Sequence, residues 1–114
     1  MFTDAGSVPL GRNLYIGLKG EDVAERQHLL NALADIDDPS GASNLAKLEA
    51  DGVFGPKTLD RVKEFQLRND LIVDGVIGVR TDAEMDTLWI RVLIRHHQNY
   101  KRKQEGKILY EYTH

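Results

Sequence analysis

DGVFGPKT at residues 51–58 returns as DGVIGVRT at residues 74–81, 23 residues further along the chain. Five of the eight positions are identical in the two copies. Asp-Gly is a strong turn dipeptide, because the Asp side chain bonds to nearby backbone and Gly tolerates a positive φ. Each copy closes with a Thr (Thr58 and Thr81), and Thr is a good helix N-cap. Self-similarity of this kind indicates one structural unit used twice, in which a turn leads into a helix.

Three helices are expected around these turns. The first should cover residues 21–34, the second should run from Thr58 to about residue 69, and the third should run from Thr81 to about residue 103. The final segment, KILYEYTH, alternates in part and could form a terminal strand or a packed arm. The expected core combines the apolar stripes of the helices with the apolar residue between the glycines of each repeat: Val23, Leu29, Leu30, Leu33, Phe54, Leu59, Val62, Phe65, Leu67, Ile77, Met85, Leu88, Trp89, Val92 and His96.

The order of these features resembles the peptidoglycan-binding domain family, a small three-helix module of cell-wall hydrolases and other envelope-directed proteins. Members have a first helix that opens with glycine and carries Val, Leu-Gln and Leu. DGxFGPxT, a helix with Phe-Gln and a second DGxxGxxT follow. Besides the two repeats, the positions that fill this pattern are Gly20, Val23, Gln27, Leu30, Leu33, Val62, Phe65 and Gln66. The resemblance covers about residues 14–89.

Several positions depart from the family pattern. Arg26 stands where an apolar residue is usual, and Asp82 stands where Trp is frequent. The stretch at residues 34–50 is longer than usual and could reshape a ligand groove. Beyond Trp89 the chain continues with residues that the pattern does not explain.

The resemblance implies an all-α fold. We expect a compact three-helix bundle like that of peptidoglycan-binding domains, with two DG turns and an extended C-terminal helix or arm. The expected divisions are a loose lead-in over residues 1–13, the domain over residues 14–89 and a basic extension over residues 90–114.

Charge is divided unevenly along the chain. Residues 1–89 carry nine Lys/Arg and 16 Asp/Glu, a net charge of −7, whereas residues 90–114 carry six and two, a net charge of +4. The acidic part lacks the basic footprint that nucleic acid requires, so no nucleic-acid partner is expected. The basic extension could contact an anionic polymer or an acidic partner, but a solvated helix face is the simpler interpretation. No apolar run is long enough to insert across a membrane.

Two glycine-rich turns that lead into helices would bring two helix N-termini, with their free N–H groups, close together around one hollow. Such an arrangement suits a carboxylate, and peptidoglycan stem peptides carry several. Lys57 and Arg80 occupy matching repeat positions and could face such a groove, although each could be a solvated charge instead. Tyr15 could stack on a sugar of the glycan. With the turn residues, whose alternative role is structural, the expected peptidoglycan-binding set is Tyr15, Asp51, Gly52, Phe54, Gly55, Lys57, Thr58, Asp74, Gly75, Gly78, Arg80 and Thr81.

No catalytic set is evident, so the chain is not expected to be an enzyme. A glycosidase needs two carboxylates that face each other, and the acidic residues with clear roles lie in turns and caps. The sequence has no Gly-x-Ser-x-Gly motif and no cysteine. His96 and His97 are adjacent, and adjacent helical residues point about 100° apart, which does not suit a metal. No metal or cofactor is expected.

The leading hypothesis is noncatalytic binding of bacterial cell-wall peptidoglycan, which would target an attached or associated activity to the wall. The alternative is a protein-docking domain of a secretion or phage-tail-like assembly, with the basic extension and Tyr110 to Tyr112 as its surface. A small lysis enzyme is a third hypothesis. The family implies the periplasm, cell wall or extracellular space, but residues 1–13 show no signal peptide. Export by another route, or a chain that belongs to a longer protein, would reconcile the two.

Overall fold

The described part of the chain forms three helices in chain order. The computed structural model describes residues 9–37 and 47–113, and it contains α1 (Glu21–Asp37), α2 (Pro56–Arg68) and α3 (Val79–Thr113). Those residues form no β-strand, only two isolated bridges. The all-α prediction is therefore confirmed. The stretch at residues 34–50, which is longer than the family pattern, lies in large part (residues 38–46) outside the described residues.

The helices begin earlier than their Thr residues suggest. The N-cap of α2 is Gly55 and Pro56 opens the helix, a position where proline is favoured because its missing N–H would have no partner anyway. In the second repeat α3 begins at Val79. Thr58 and Thr81 therefore lie inside the first helical turn, and the prediction that they are N-caps is wrong.

The third helix is longer than predicted. It continues to Thr113 without a break, over 35 residues, which is about 52 Å at 1.5 Å per residue. KILYEYTH is thus helical up to Thr113, and the predicted terminal strand or arm is wrong. A single Gly106 costs a helix only about 1 kcal/mol, which is too little to end it.

The core lies where α1 packs against both α2 and α3. Phe54 and Ile77, one from each repeat, are each 1% exposed and are confirmed as core residues. Leu67 is 63% exposed, so its predicted burial is wrong. It lies about 180° around α2 from the buried Thr58. The buried apolar residues are Leu14, Val23, Leu29, Leu30, Leu33, Phe54, Val62, Phe65, Ile77, Met85 and Leu88, with Leu59, Trp89 and Val92 packed beside them.

The segment at residues 14–20 joins the two repeats. Leu14 forms an antiparallel bridge with Ile77, and Lys19 forms one with Val53. The Leu14 N–H donates to the Ile77 carbonyl at 3.0 Å, and the Ile77 N–H donates back at 2.8 Å. Each DG turn is therefore hydrogen-bonded to the same short segment, which fixes the turns relative to each other.

Two residues near the end of the predicted lead-in contact the helical part of the chain. Leu10 packs against the core, and the Arg12 guanidinium contacts the Asp22 carboxylate at 2.9 Å. This contact lowers the pKa of Asp22, with the hydrogen bond from Arg12 as the main cause. Leu10 and Arg12 therefore contact the rest of the fold, while residues 1–8 lie outside the described residues.

Candidate functional site

Each DG turn is held by the amide of one buried glutamine. In the first turn, Gln27 Nε2 donates to the Val53 carbonyl at 2.9 Å and to Thr58 Oγ1 at 3.0 Å. Gln27 Oε1 accepts from the Gly52 N–H at 2.9 Å. The glutamine of α1 thus connects the turn to the first turn of α2.

The second turn repeats this arrangement with a glutamine of α2. Gln66 Nε2 donates to the Val76 carbonyl at 3.0 Å and to Thr81 Oγ1 at 3.1 Å. Gln66 Oε1 accepts from the Gly75 N–H at 2.9 Å. The chain therefore uses one unit twice: a helix with a buried Gln, a DG turn, and the helix that follows.

The aspartate of each turn bonds to the backbone two residues ahead. Asp51 Oδ1 accepts from the Val53 N–H at 3.0 Å, and Asp74 Oδ1 accepts from the Val76 N–H at 2.9 Å. The Val76 N–H, followed by the Gln66 amide, lowers the pKa of Asp74. These bonds commit one oxygen of each carboxylate to its turn.

The glycines that follow the aspartates have left-handed backbones. Gly52 has φ +79° and Gly75 has φ +74°, which favours glycine. A Cβ on Gly75 would lie 2.4 Å from Leu59 Cδ1. Both positions are therefore structurally constrained whatever the surface binds.

A hollow lies beside each turn. The hollow at the first repeat, called here the first hollow, has a volume of about 390 Å³. Two cations and two carboxylates lie among its lining residues: Lys47, Lys57, Glu49 and Asp51. Val53, Gly55 and Pro56 also border it, so the hollow opens at the N-terminus of α2.

The second hollow has a volume of about 350 Å³ and opens at the N-terminus of α3. Arg80 is its cation, with Asp70 and Asp74 as acidic neighbours. Its lining includes two strongly exposed apolar side chains, Ile72 (78%) and Val79 (77%). The second hollow thus combines an arginine with apolar surface.

These two hollows share no lining residue. The sequence suggested a single hollow on which both helix N-termini converge. Instead, each N-terminus opens into a hollow of its own, because α2 and α3 each start at a separate DG turn.

The expected binding residues fall into three groups by exposure. Lys57, Arg80, Asp51, Asp74 and Tyr15 are exposed. Gly55 and Gly78 are half-buried beside the first and second hollow respectively. The remaining members of the set are buried: Gly52, Phe54, Thr58, Gly75 and Thr81. The hydroxyls of Thr58 and Thr81 already accept a glutamine N–H. Tyr15 is 48% exposed and lines neither hollow.

Two departures from the family pattern form one contact. Arg26 Nε donates to Asp82 Oδ1 at 3.0 Å, and the two side chains are only 5% and 14% exposed. The pair joins α1 to α3. Burial, then the charge of Asp82, raises the pKa of nearby Asp86. The sequence carried a signal for this pair. Arg26 stands where the family usually has an apolar residue, and Asp82 stands where it often has Trp.

The described residues hold neither a metal site nor a membrane span. Residues 9–37 and 47–113 hold no group of three or more His, Cys, Asp or Glu placed to bind a metal ion. None of the helices in those ranges is long and apolar enough to cross a bilayer.

Comparison with known proteins identifies the family. Residues 19–85 match the putative peptidoglycan binding domain family. The match spans more than half of the chain, and the chain belongs to this family.

Three relatives carry a similar segment. The N-acetylmuramoyl-L-alanine amidase CwlL of Bacillus licheniformis is 39% identical over 71 residues, 62% of this chain and 19% of the amidase. A probable N-acetylmuramoyl-L-alanine amidase of the same species is 38% identical over 71 residues, again 62% of this chain and 19% of the relative. An uncharacterized protein of Kitasatospora aureofaciens is 47% identical over 38 residues, 33% of this chain and 32% of that protein. The chain therefore spans about a fifth of the length of either amidase.

Proposed function

We propose that this chain is a noncatalytic module that binds bacterial peptidoglycan and so targets an attached or associated activity to the cell wall. The observation that carries the proposal is membership of the peptidoglycan-binding family across the folded domain. Both amidases match this chain over a segment that is only 19% of their length. Neither amidase is named for secretion or a phage tail, so the protein-docking alternative gains no support from them.

The second hollow offers donors for a carboxylate. The first N–H groups of a helix have no partner within the helix and lie at the positive end of its dipole. In α3 these groups belong to Val79, Arg80 and Thr81. The exposed Arg80 guanidinium adds a planar fork that can bind a carboxylate through two hydrogen bonds. We infer that a stem-peptide carboxylate binds here, with the methyl groups of the stem peptide against Ile72 and Val79.

The first hollow offers a weaker version of the same arrangement. Pro56 opens α2 and has no N–H, so this helix presents one donor fewer. Lys57 holds the position that matches Arg80, but an ammonium group is a point charge rather than a fork. Arg80 should therefore contribute more to wall binding than Lys57.

Tyr15 is proposed as a glycan contact. It follows Leu14, which is bridged to Ile77, so its backbone position is fixed by the second repeat. An exposed aromatic ring of this kind can lie against the apolar face of a sugar.

Weak binding at each site is sufficient for targeting. Each hollow is small and open to solvent, so one wall fragment buries little surface there and its affinity should be low. A tethered activity gains from the raised effective concentration at the wall. This role implies a location at the cell wall.

Co-sedimentation with purified sacculi tests the proposal. Arg80→Ala should weaken retention about tenfold, the effect of losing about 1.4 kcal/mol of binding, and Lys57→Ala should weaken it less. Lys63→Ala and Arg91→Ala are matched controls, because both side chains are exposed and line neither hollow. Unchanged retention of a folded Lys57→Ala/Arg80→Ala variant would remove both residues from the site, and no retention of the unaltered chain would overturn the function.

A further inference from the structure

One wall of the first hollow is held in place by an asparagine of α1. Asn31 Nδ2 donates to the Leu48 carbonyl at 2.9 Å, and Asn31 Oδ1 accepts from the Leu48 N–H at 2.7 Å. Leu48 also packs against the core. Its two chain neighbours, Lys47 and Glu49, are exposed and line the first hollow. Both charged residues therefore belong to a short segment that is fixed to the fold at its centre.

This segment belongs to a part of the chain that departs from the family pattern. Lys47 and Glu49 lie in the stretch at residues 34–50, which is longer than that pattern. The repeat contributes one cation and one carboxylate to the first hollow, and the longer stretch adds one of each. The charged residues around the second hollow all come from residues 70–80. The charges of Lys47 and Glu49 thus distinguish the first hollow from the second.

The first hollow has balanced charge. Lys47, Lys57, Glu49 and Asp51 give it two positive and two negative charges. Among the residues that the structure describes, no ion pair joins any two of these four side chains. The hydrogen bonds that Asp51 accepts from described residues go to Oδ1, so Oδ2 can take another donor. The hollow thus offers separate cations and carboxylates to a ligand that carries both charges.

We propose that the first hollow binds the free end of a diamino acid in the stem peptide, where an ammonium and a carboxylate share one carbon atom. Diaminopimelate has such an end, whereas lysine at the same place in the stem has only the ammonium. Lys47 and Lys57 bind the carboxylate, and Glu49 and Asp51 bind the ammonium, through charge-assisted hydrogen bonds. The volume of about 390 Å³ lies within the range of small-ligand sites, about 300–1,000 Å³. The inference rests on the proposed binding of peptidoglycan and adds the wall chemistry that this module selects.

A ligand with one kind of charge fits this hollow less well. A lone carboxylate would be attracted by the two lysines but repelled by Glu49 and Asp51, and a lone ammonium would meet the reverse. A group with both charges gains from both signs at once. In the second hollow, Arg80 lies beside the exposed Ile72 and Val79, which suits a carboxylate next to methyl groups instead.

Titration of the full chain with two stem tripeptides, followed by NMR of the backbone N–H groups, tests the proposal. One tripeptide ends in meso-diaminopimelate and the other in lysine, so they differ only in the carboxylate at the end of the side chain. The first should bind about tenfold more tightly, because it makes an added charge-assisted contact. The largest N–H shifts should occur at Glu49 and Lys57. Equal affinities, or shifts confined to the second hollow, would overturn the proposal.

Variants that remove one charge separate the two kinds of contact. Lys47→Gln should weaken binding of the diaminopimelate tripeptide but not of the lysine tripeptide, which lacks the carboxylate. Glu49→Gln should weaken binding of both, because both carry the ammonium. Lys63→Gln and Asp60→Asn are the matched controls, since both side chains are exposed and line neither hollow. Equal weakening of both tripeptides by Lys47→Gln would contradict its contact with the carboxylate.

Asn31→Ala tests whether the segment must be held in place. Loss of the two hydrogen bonds to Leu48 should let Lys47 and Glu49 move, so the preference for the diaminopimelate tripeptide should fall. A purely structural role of Asn31 would lower the free energy of unfolding and leave the ratio of the two affinities unchanged. An unchanged ratio would therefore overturn the positioning role.

Retention on sacculi distinguishes this inference from the proposed function. Sacculi that contain diaminopimelate should retain more of the chain than sacculi that contain lysine. Equal retention on both, together with equal tripeptide affinities, would overturn the ligand proposed for the first hollow and leave wall binding in place. Absence of retention on either kind would overturn wall binding itself.

Discussion

At the residue scale, the two buried glutamines explain why the DG turns have their shape. A glutamine amide is both a donor and an acceptor, and Gln27 and Gln66 use both ends on their turns. Glutamate would lack the donor. The buried Gly52 and Gly75 N–H groups would lose their partner if the amide were removed.

Replacement of Gln66 with Ala should lower the free energy of unfolding by about 2–4 kcal/mol, because it leaves buried backbone groups unsatisfied. Urea denaturation followed by circular dichroism measures this. Gln27→Ala should have a similar effect, since it removes the equivalent bonds. Gln98→Ala is the matched control, because Gln98 is exposed on α3. A loss below about 0.5 kcal/mol for both buried glutamines would contradict the structural role given to them.

At the element scale, the Arg26–Asp82 pair adds a polar contact to the apolar packing between α1 and α3. The two side chains are almost fully buried. A buried ion pair often contributes little net stability, but removal of one partner leaves a charge without compensation. The pair therefore constrains which substitutions α1 and α3 tolerate together.

A double-mutant cycle tests this coupling. Arg26→Leu alone should destabilise the fold by about 3 kcal/mol, because it leaves the Asp82 carboxylate buried without its cation. Arg26→Leu combined with Asp82→Leu should cost less than the sum of the single changes, by about 1–3 kcal/mol. Glu64→Ala, which removes an ion pair with Arg68 on the surface of α2, should cost under about 0.5 kcal/mol. Additive effects of Arg26→Leu and Asp82→Leu would show that the contact carries no coupling.

At the scale of the whole molecule, acidification acts on the domain through carboxylates with shifted pKa values. The pKa values of Asp22 and Asp74 lie below the ordinary value of 3.8. Their stabilising contribution is therefore complete above pH 3.8 and is lost as the pH falls through the lowered values. Asp86 acts in the opposite direction, because its raised pKa means that protonation removes an unfavourable charge.

Stability should thus fall at the acidic end of the pH range, below about pH 4. Asp74→Asn should flatten this fall, because the side chain no longer has a titrating carboxylate while its amide oxygen can still accept the Val76 N–H. The measurement is the urea midpoint of the unaltered chain and of Asp74→Asn between about pH 7 and about pH 3, a range that includes the ordinary carboxylate pKa values. Parallel pH curves for the unaltered chain and Asp74→Asn would contradict the assignment.

Local patterns sufficed for the number and order of the helices and for most of the core. Helical spacing identified Val23, Leu30 and Met85, which are buried. The assignment of Leu67 to the core was wrong, and the extent of α3 was underestimated, because alternation over a few residues at KILYEYTH cannot outweigh a continuing helix. The prediction that Thr58 and Thr81 are N-caps was wrong, because a hydroxyl near a helix start can bond to the backbone or to another side chain. Here each hydroxyl accepts from the amide of Gln27 or Gln66.

The amino-acid sequence by itself determined the duplicated turn-and-helix unit, because turn dipeptides and helical periodicity act over a few residues. The tertiary structure alone decided that residues 14–20 fasten both turns and that Arg26 meets Asp82. It also decided that the two hollows are separate. These features join groups far apart in the chain, and their partners are selected by how α1, α2 and α3 pack around the shared core rather than by any local preference.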